Sequence, residues 1–83
     1  MERVVSVKPL PDFMLELTFS DGYIKIVNIR PFIGGGISDA LLDEAYFRRV
    51  QIESGGGIYW PNGYDFCPNF LRQGIPAAHF VNA

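Results

Sequence analysis

The residue types able to do chemistry gather late in the sequence. Trp60, Asn62, Tyr64, Asp65 and Cys67 fall within one short stretch, and His79 is the single histidine. Four of them, Trp60, Asn62, Tyr64 and Asp65, could form a recognition loop: a polar pocket walled by an indole, suited to a small ligand or a peptide. Each also has a structural use. Asn62-Gly63 is a turn signal, and Asp65 can accept backbone N–H bonds from that loop or cap a helix starting near Pro68. Trp60 fills core space and points its one N–H at a carbonyl, and Cys67 behaves as a small buried hydrophobe. A nucleophilic cysteine needs a base, and His79 falls in a segment with no clear period, so no catalytic residue is assigned and no enzyme is expected. One Cys and one His cannot build a structural zinc site. Asp39, Asp43, Glu44 and Glu53 lack calcium-loop spacing. No metal and no cofactor are therefore expected. Gly34-Gly35-Gly36 is followed by no Gly-Lys-Ser or Gly-Lys-Thr, which makes it a connector rather than a phosphate loop.

Composition narrows the classes further. The chain has 83 residues, enough for one domain. Hydrophobic residues make up 48% and charged ones 19%, too apolar for a disordered chain. The net charge of -2, with Lys and Arg scattered apart from Arg48-Arg49, argues against direct nucleic-acid binding. The Arg pair reads as a solvated helix face. A single cysteine fits a reducing compartment. No apolar leader follows Met1 and no run is long enough to span a bilayer. The expectation is a cytoplasmic protein with no membrane contact.

The elements that must hold these residues are legible by period. Residues 4–10, rich in Val, read as a first strand that Pro9 and Pro11 end, so that it lies at a sheet edge or stops early. Residues 14–20 and 23–29 alternate around Asp21-Gly22, which reads as a two-residue hairpin turn. That turn opposes Phe19 to Ile24, Leu17 to Ile26 and Leu15 to Asn28, and puts Thr18 opposite Lys25 on the other, mixed face. Asp43 is the expected N-cap of a helix over residues 44–50, which packs Leu42, Tyr46, Phe47 and Val50 on the sheet. Residues 51–53 and 58–60 read as a second hairpin, with Ser54-Gly55-Gly56-Gly57 as its loop. Cys67 to Gly74 has Pro at a first helical position and Gly just past the end of a short helix. The predicted fold class is α+β: a three-stranded antiparallel meander, a short helix, a β-hairpin and a short C-terminal helix (β-β-β-α-β-β-α). Residues 1–74 form a single domain and 75–83 an irregular tail.

Three stretches together, VKPLPDFMLELTFSDGYIKIVNIRPF, LLDEAYFRRV and IYWPNGYDFCPNFL, resemble the Domain of Unknown Function 2442 family. The signature over residues 60–68, W-P-N-G-x-D-x-C-P, is specific, and the LTFSDG hairpin is moderately so. The resemblance covers residues 4–71 and implies a small bacterial protein with a meander sheet and a short helix. Some such proteins are encoded beside another small protein, which implies an antitoxin-like role by association only. Others carry an added C-terminal DNA-binding helical domain, which this sequence does not show, so direct operator recognition is not expected.

The functional expectation is a non-catalytic protein-interaction module with a protein partner or self-association. Its motive is surplus apolar surface: Phe13, Phe32, Ile33, Tyr59, Tyr64, Phe66, Phe80 and Val81 come on top of a full core list. The alternative is a small-ligand-binding domain that uses the loop from Trp60 to Asp65.

Overall fold

A computed structural model describes residues 2–78. His79, Phe80 and Val81, and with them the Cys67–His79 pairing considered above, lie outside the described residues. Strands β1 (Val4–Leu10), β2 (Met14–Phe19) and β3 (Ile24–Asn28) form an antiparallel sheet in the order β1-β2-β3, the expected meander. Pro9 pairs with Leu15 inside β1 rather than ending it. In an antiparallel pair, facing residues alternate between bonded and non-bonded positions. Here the odd residues of β2 bond towards β3, as Phe19 N–H to the Tyr23 carbonyl shows. The even residues therefore face β1, which turns the Pro9 nitrogen to the outer edge, where a missing donor costs no ladder bond.

The β2–β3 register differs from the expected one by one residue. Leu15 faces Val27, Leu17 faces Lys25, and Thr18 faces Ile24. The loop holds three residues, Ser20, Asp21 and Gly22, and is closed by Gly22 N–H to the Phe19 carbonyl at 2.9 Å, with Gly22 at φ +90°. Asp21 Oδ1 accepts from Tyr23 N–H at 3.2 Å. A three-residue loop with its last residue left-handed is the next favoured hairpin after the two-residue turn. The slip exchanges the faces of β3: Lys25, Val27 and Ile29 turn inward, while Ile24 is 59% exposed. Gly22→Val is expected to lower the thermal midpoint by several degrees, because a β-branched residue resists positive φ. Thermal unfolding followed by circular dichroism reads this, and an unchanged midpoint would place the turn elsewhere.

Between the sheets run two 3-10 turns, Arg30–Phe32 and Gly36–Leu42. Helix α1 (Glu44–Phe47) follows, capped as expected by Asp43, whose side chain accepts from Ala45 N–H. It is shorter than expected, and the 3-10 winding before it buries Leu41 while leaving Leu42 exposed. Strands β4 (Gln51–Ile52), β5 (Ile58–Tyr59) and β6 (Asp65–Phe66) form a second antiparallel sheet. β6 is an addition to the expected hairpin, made when the turn at Asn62-Gly63 folds the chain back on β5. The C-terminal helix begins at Pro68 and winds as a π-helix over Phe70–Gly74, with Ile75 N–H on the Phe70 carbonyl. Gly74 lies inside it rather than past its end. A Cβ there would sit 2.3 Å from the Phe70 ring, so the ring's seat is what excludes a side chain.

With two antiparallel three-stranded sheets and short helices, the fold is α+β. One core joins them: Leu15, Leu17 and Phe19 of β2, Val27 and Ile29 of β3, Phe47 of α1, Ile58 and Trp60, and Leu71 and Ile75. Ile75 is buried in that core, and Ala78 N–H donates to the Ile26 carbonyl at 2.8 Å, so the chain stays packed past Gly74.

Candidate functional site

The loop between β5 and β6 gathers the four sequence-selected residues, and their neighbours use most of what they offer. Trp60 is 0% exposed. Its indole N–H donates to the Phe47 carbonyl at 2.9 Å, and its ring packs among Phe47, Tyr64 and Phe66. Asn62 accepts from Tyr64 N–H at 3.1 Å and donates through Nδ2 to the Ile37 carbonyl at 2.8 Å, tying the loop to the 3-10 segment. The Tyr64 hydroxyl donates to the Phe32 carbonyl at 2.6 Å, and burial raises its pKa above the ordinary 10.0. Asp65 lies exposed on β6 opposite Tyr59. Among the described residues its carboxylate accepts no hydrogen bond, neither from the loop nor as a helix cap. Cys67 is exposed, not buried: alternation along the chain turns Phe66 inward and Cys67 out. Tyr64, Asn62 and Trp60 thus join three elements around one corner of the core, and exposed Ile37 sits beside the loop.

A second polar centre was invisible in the sequence. Lys25 is 5% exposed on the inner face of β3. Its ammonium donates to the carbonyls of Leu71 (2.9 Å), Arg72 (2.8 Å) and Ile75. These are carbonyls that the end of a short helix leaves without intrahelical donors, and a cation is the preferred partner there. Burial, and then the positive charge of Arg72, lower the Lys25 pKa from the ordinary lysine value. Arg72 itself reaches the hairpin turn. It makes a two-pronged pair with Asp21, at 3.1 and 3.0 Å, and lies over the Tyr23 ring at 4.1 Å and the Phe19 ring at 4.9 Å. The three-residue turn therefore decides both contacts, because it faces Lys25 inward and presents Asp21 to Arg72.

Hydrogen bonds from the Arg72 side chain and from Tyr23 N–H hold the Asp21 pKa below its ordinary 3.8. A carboxyl with a depressed folded-state pKa contributes stability above its unfolded value and loses it as pH falls through the folded one. Asp21→Asn is expected to make the loss of thermal stability on acidification below about pH 4 shallower. A melting-temperature profile across that range tests it, and parallel curves for both proteins would remove the pair's role.

Two surface cavities lie away from the Trp60 loop. One of about 150 Å³ is lined by Glu2, Phe19, Ser20, Asp21 and Arg72. The other, about 370 Å³ and mostly apolar, is lined by Met14, Asn28, Pro31, Phe32 and residues 75–78. Among the described residues no three His, Cys, Asp or Glu side chains are grouped to hold a metal, and no helix is long and apolar enough to cross a membrane. No curated protein and no solved structure gives a significant match to the chain. A family model, described as protein of unknown function (DUF2442), matches residues 4–77. With the meander, the Asp43-capped helix and the W-P-N-G-Y-D-F-C-P loop all inside that span, this chain belongs to the DUF2442 family.

Proposed function

We propose that this protein is a non-catalytic interaction module that works in the cytoplasm by covering a protein partner, in the manner of an antitoxin. The observation that carries the reading is where apolar surface is left over. Ile33 and Phe66, counted above as surplus, are buried, and Phe13, Phe32 and Tyr64 pack on the core. Other residues take their place at the surface. Val5 is 54% exposed beside the β1 bulge and Ile24 59% exposed at the start of β3, on the two strands that flank Thr18. Ile37 and Leu42 are also exposed, on the 3-10 segment, whereas the Tyr23 ring turns to the other face and lies under Arg72. Val5 and Ile24, exposed on either side of Thr18 on the outer face of the sheet, are the apolar surface that supports a protein contact. The chemically able side chains support the same reading, since Trp60, Tyr64 and Lys25 are bound to backbone carbonyls.

The test is the mass in solution of the purified protein, alone and co-expressed with the products of its genomic neighbours. The expected result is one co-eluting complex that the double variant Val5→Asp, Ile24→Asp disrupts while keeping its own fold. Separate elution from every neighbour tested, with the protein monomeric, would overturn the reading.

A further inference from the structure

We propose that Asn62 is a modification site: its carboxamide closes on the Gly63 nitrogen and hydrolyses to aspartate and isoaspartate, at a rate set by the folded corner around Trp60. Asn62 is the one asparagine in the sequence that precedes a glycine. Asn28 is followed by Ile29 and Asn69 by Phe70, whose side chains crowd the nitrogen that would attack. Asn62 and Gly63 both lie exposed, and the space beside the Gly63 Cα is open. Hydroxide takes the Gly63 amide proton, and the nitrogen bonds to Asn62 Cγ. The Cγ–Nδ2 bond breaks, and Nδ2 leaves as ammonia with a proton from water. A second water opens the cyclic imide. Opening at Cγ leaves aspartate, and opening at the main-chain carbonyl leaves isoaspartate, with the chain rerouted through the side chain. The net change is water in and ammonia out, with nothing oxidised or reduced.

The fold holds both reacting groups away from this step. Gly63 N–H donates to the Trp60 carbonyl at 2.9 Å. The carboxamide is fixed at both ends: Nδ2 donates to the Ile37 carbonyl at 2.8 Å, and Oδ1 accepts from Tyr64 N–H at 3.1 Å. Attack requires the Gly63 nitrogen to leave Trp60 and the carboxamide to turn out of its two bonds. The reaction is therefore slow while the loop is tied to the 3-10 segment and fast once that corner opens. It is also irreversible in effect. A carboxylate at position 62 has no donor for the Ile37 carbonyl and sets an anion against it. The isoaspartyl link lengthens the turn, so the bonds of Gly63 N–H to Trp60 and of Trp60 N–H to Tyr64 lose their register. A molecule that has reacted opens more easily than one that has not.

The test is peptide mapping by mass spectrometry after incubation of the full chain in mildly alkaline buffer, with and without unfolding urea. Asn62 is expected to convert to two separable products at least about tenfold more slowly in the folded protein, since three hydrogen bonds of modest net worth must be given up together. Asn28 and Asn69 should stay unmodified over the same time. Gly63→Ala, compared in urea where its turn strain plays no part, should slow the reaction by crowding the nitrogen. Asn62→Asp, which reproduces one product, should unfold at lower urea than the parent. An Asn62 that stays intact in urea, or one that converts as fast folded as unfolded, would overturn the proposal. An Asn62→Asp protein as stable as the parent would remove the effect on the corner.

Discussion

Trp60→Ala is expected to lower stability by about 3–5 kcal/mol, the usual cost of truncating a fully buried aromatic residue. The indole is 0% exposed and touches Phe47, Tyr64 and Phe66, so its removal opens a cavity where α1 meets β5 and β6. The Phe47 carbonyl also loses its donor. A domain of this size has a total stability of roughly 4–12 kcal/mol, at about 0.05–0.15 kcal/mol per residue. The single change therefore leaves the protein close to unfolded. Trp60→Phe keeps an aromatic ring in the core but gives up the N–H together with the pyrrole half of the indole, and about 1–3 kcal/mol is expected for the stranded carbonyl. Urea unfolding of both variants measures this. A Trp60→Ala protein as stable as the parent would mean that the indole is not in the core, and would return Trp60 to the surface as a ligand group.

Lys25→Met should cost about 2–4 kcal/mol, because it strands buried acceptors rather than removing a matched pair. Methionine keeps the apolar stem of Lys25 against Leu17 but gives no donor to the carbonyls of Leu71, Arg72 and Ile75. The desolvation cost of the ammonium is relieved in the variant, which offsets part of the loss and sets the upper bound. Lys8→Met, on the exposed part of β1, is the control and should change stability by less than about 0.5 kcal/mol. Urea unfolding reads the difference, and amide exchange at Ile75 locates it, since that N–H bonds to Phe70 within the π-helix. Equal stability of the two variants would show that the C-terminal helix holds its place by Leu71 and Ile75 packing alone.

Local patterns along the chain were enough for the class of fold, the first three strands, the cap at Asp43 and the Asn62-Gly63 turn. Those are local matters: a period of two, a β-branched run, a short polar side chain before a helix. They also determined the structural uses of Trp60 and Asn62, since a buried indole N–H and an Asn-Gly turn have few other options. They did not determine the facing of β3. Ile24, Ile26 and Asn28 are as plausible an inner row as Lys25, Val27 and Ile29, since each holds two apolar residues, and the first carries an amide where the second carries a charge. Contacts made far along the chain choose between them. The end of the C-terminal helix brings carbonyls that need a donor beneath β3, and Lys25 supplies it, while Arg72 reaches over to Asp21 in the turn. Both partners lie about fifty residues further along the chain. No window of local periodicity spans that separation, so the inward lysine and the three-residue turn follow from contacts that exist only once the chain has closed on itself.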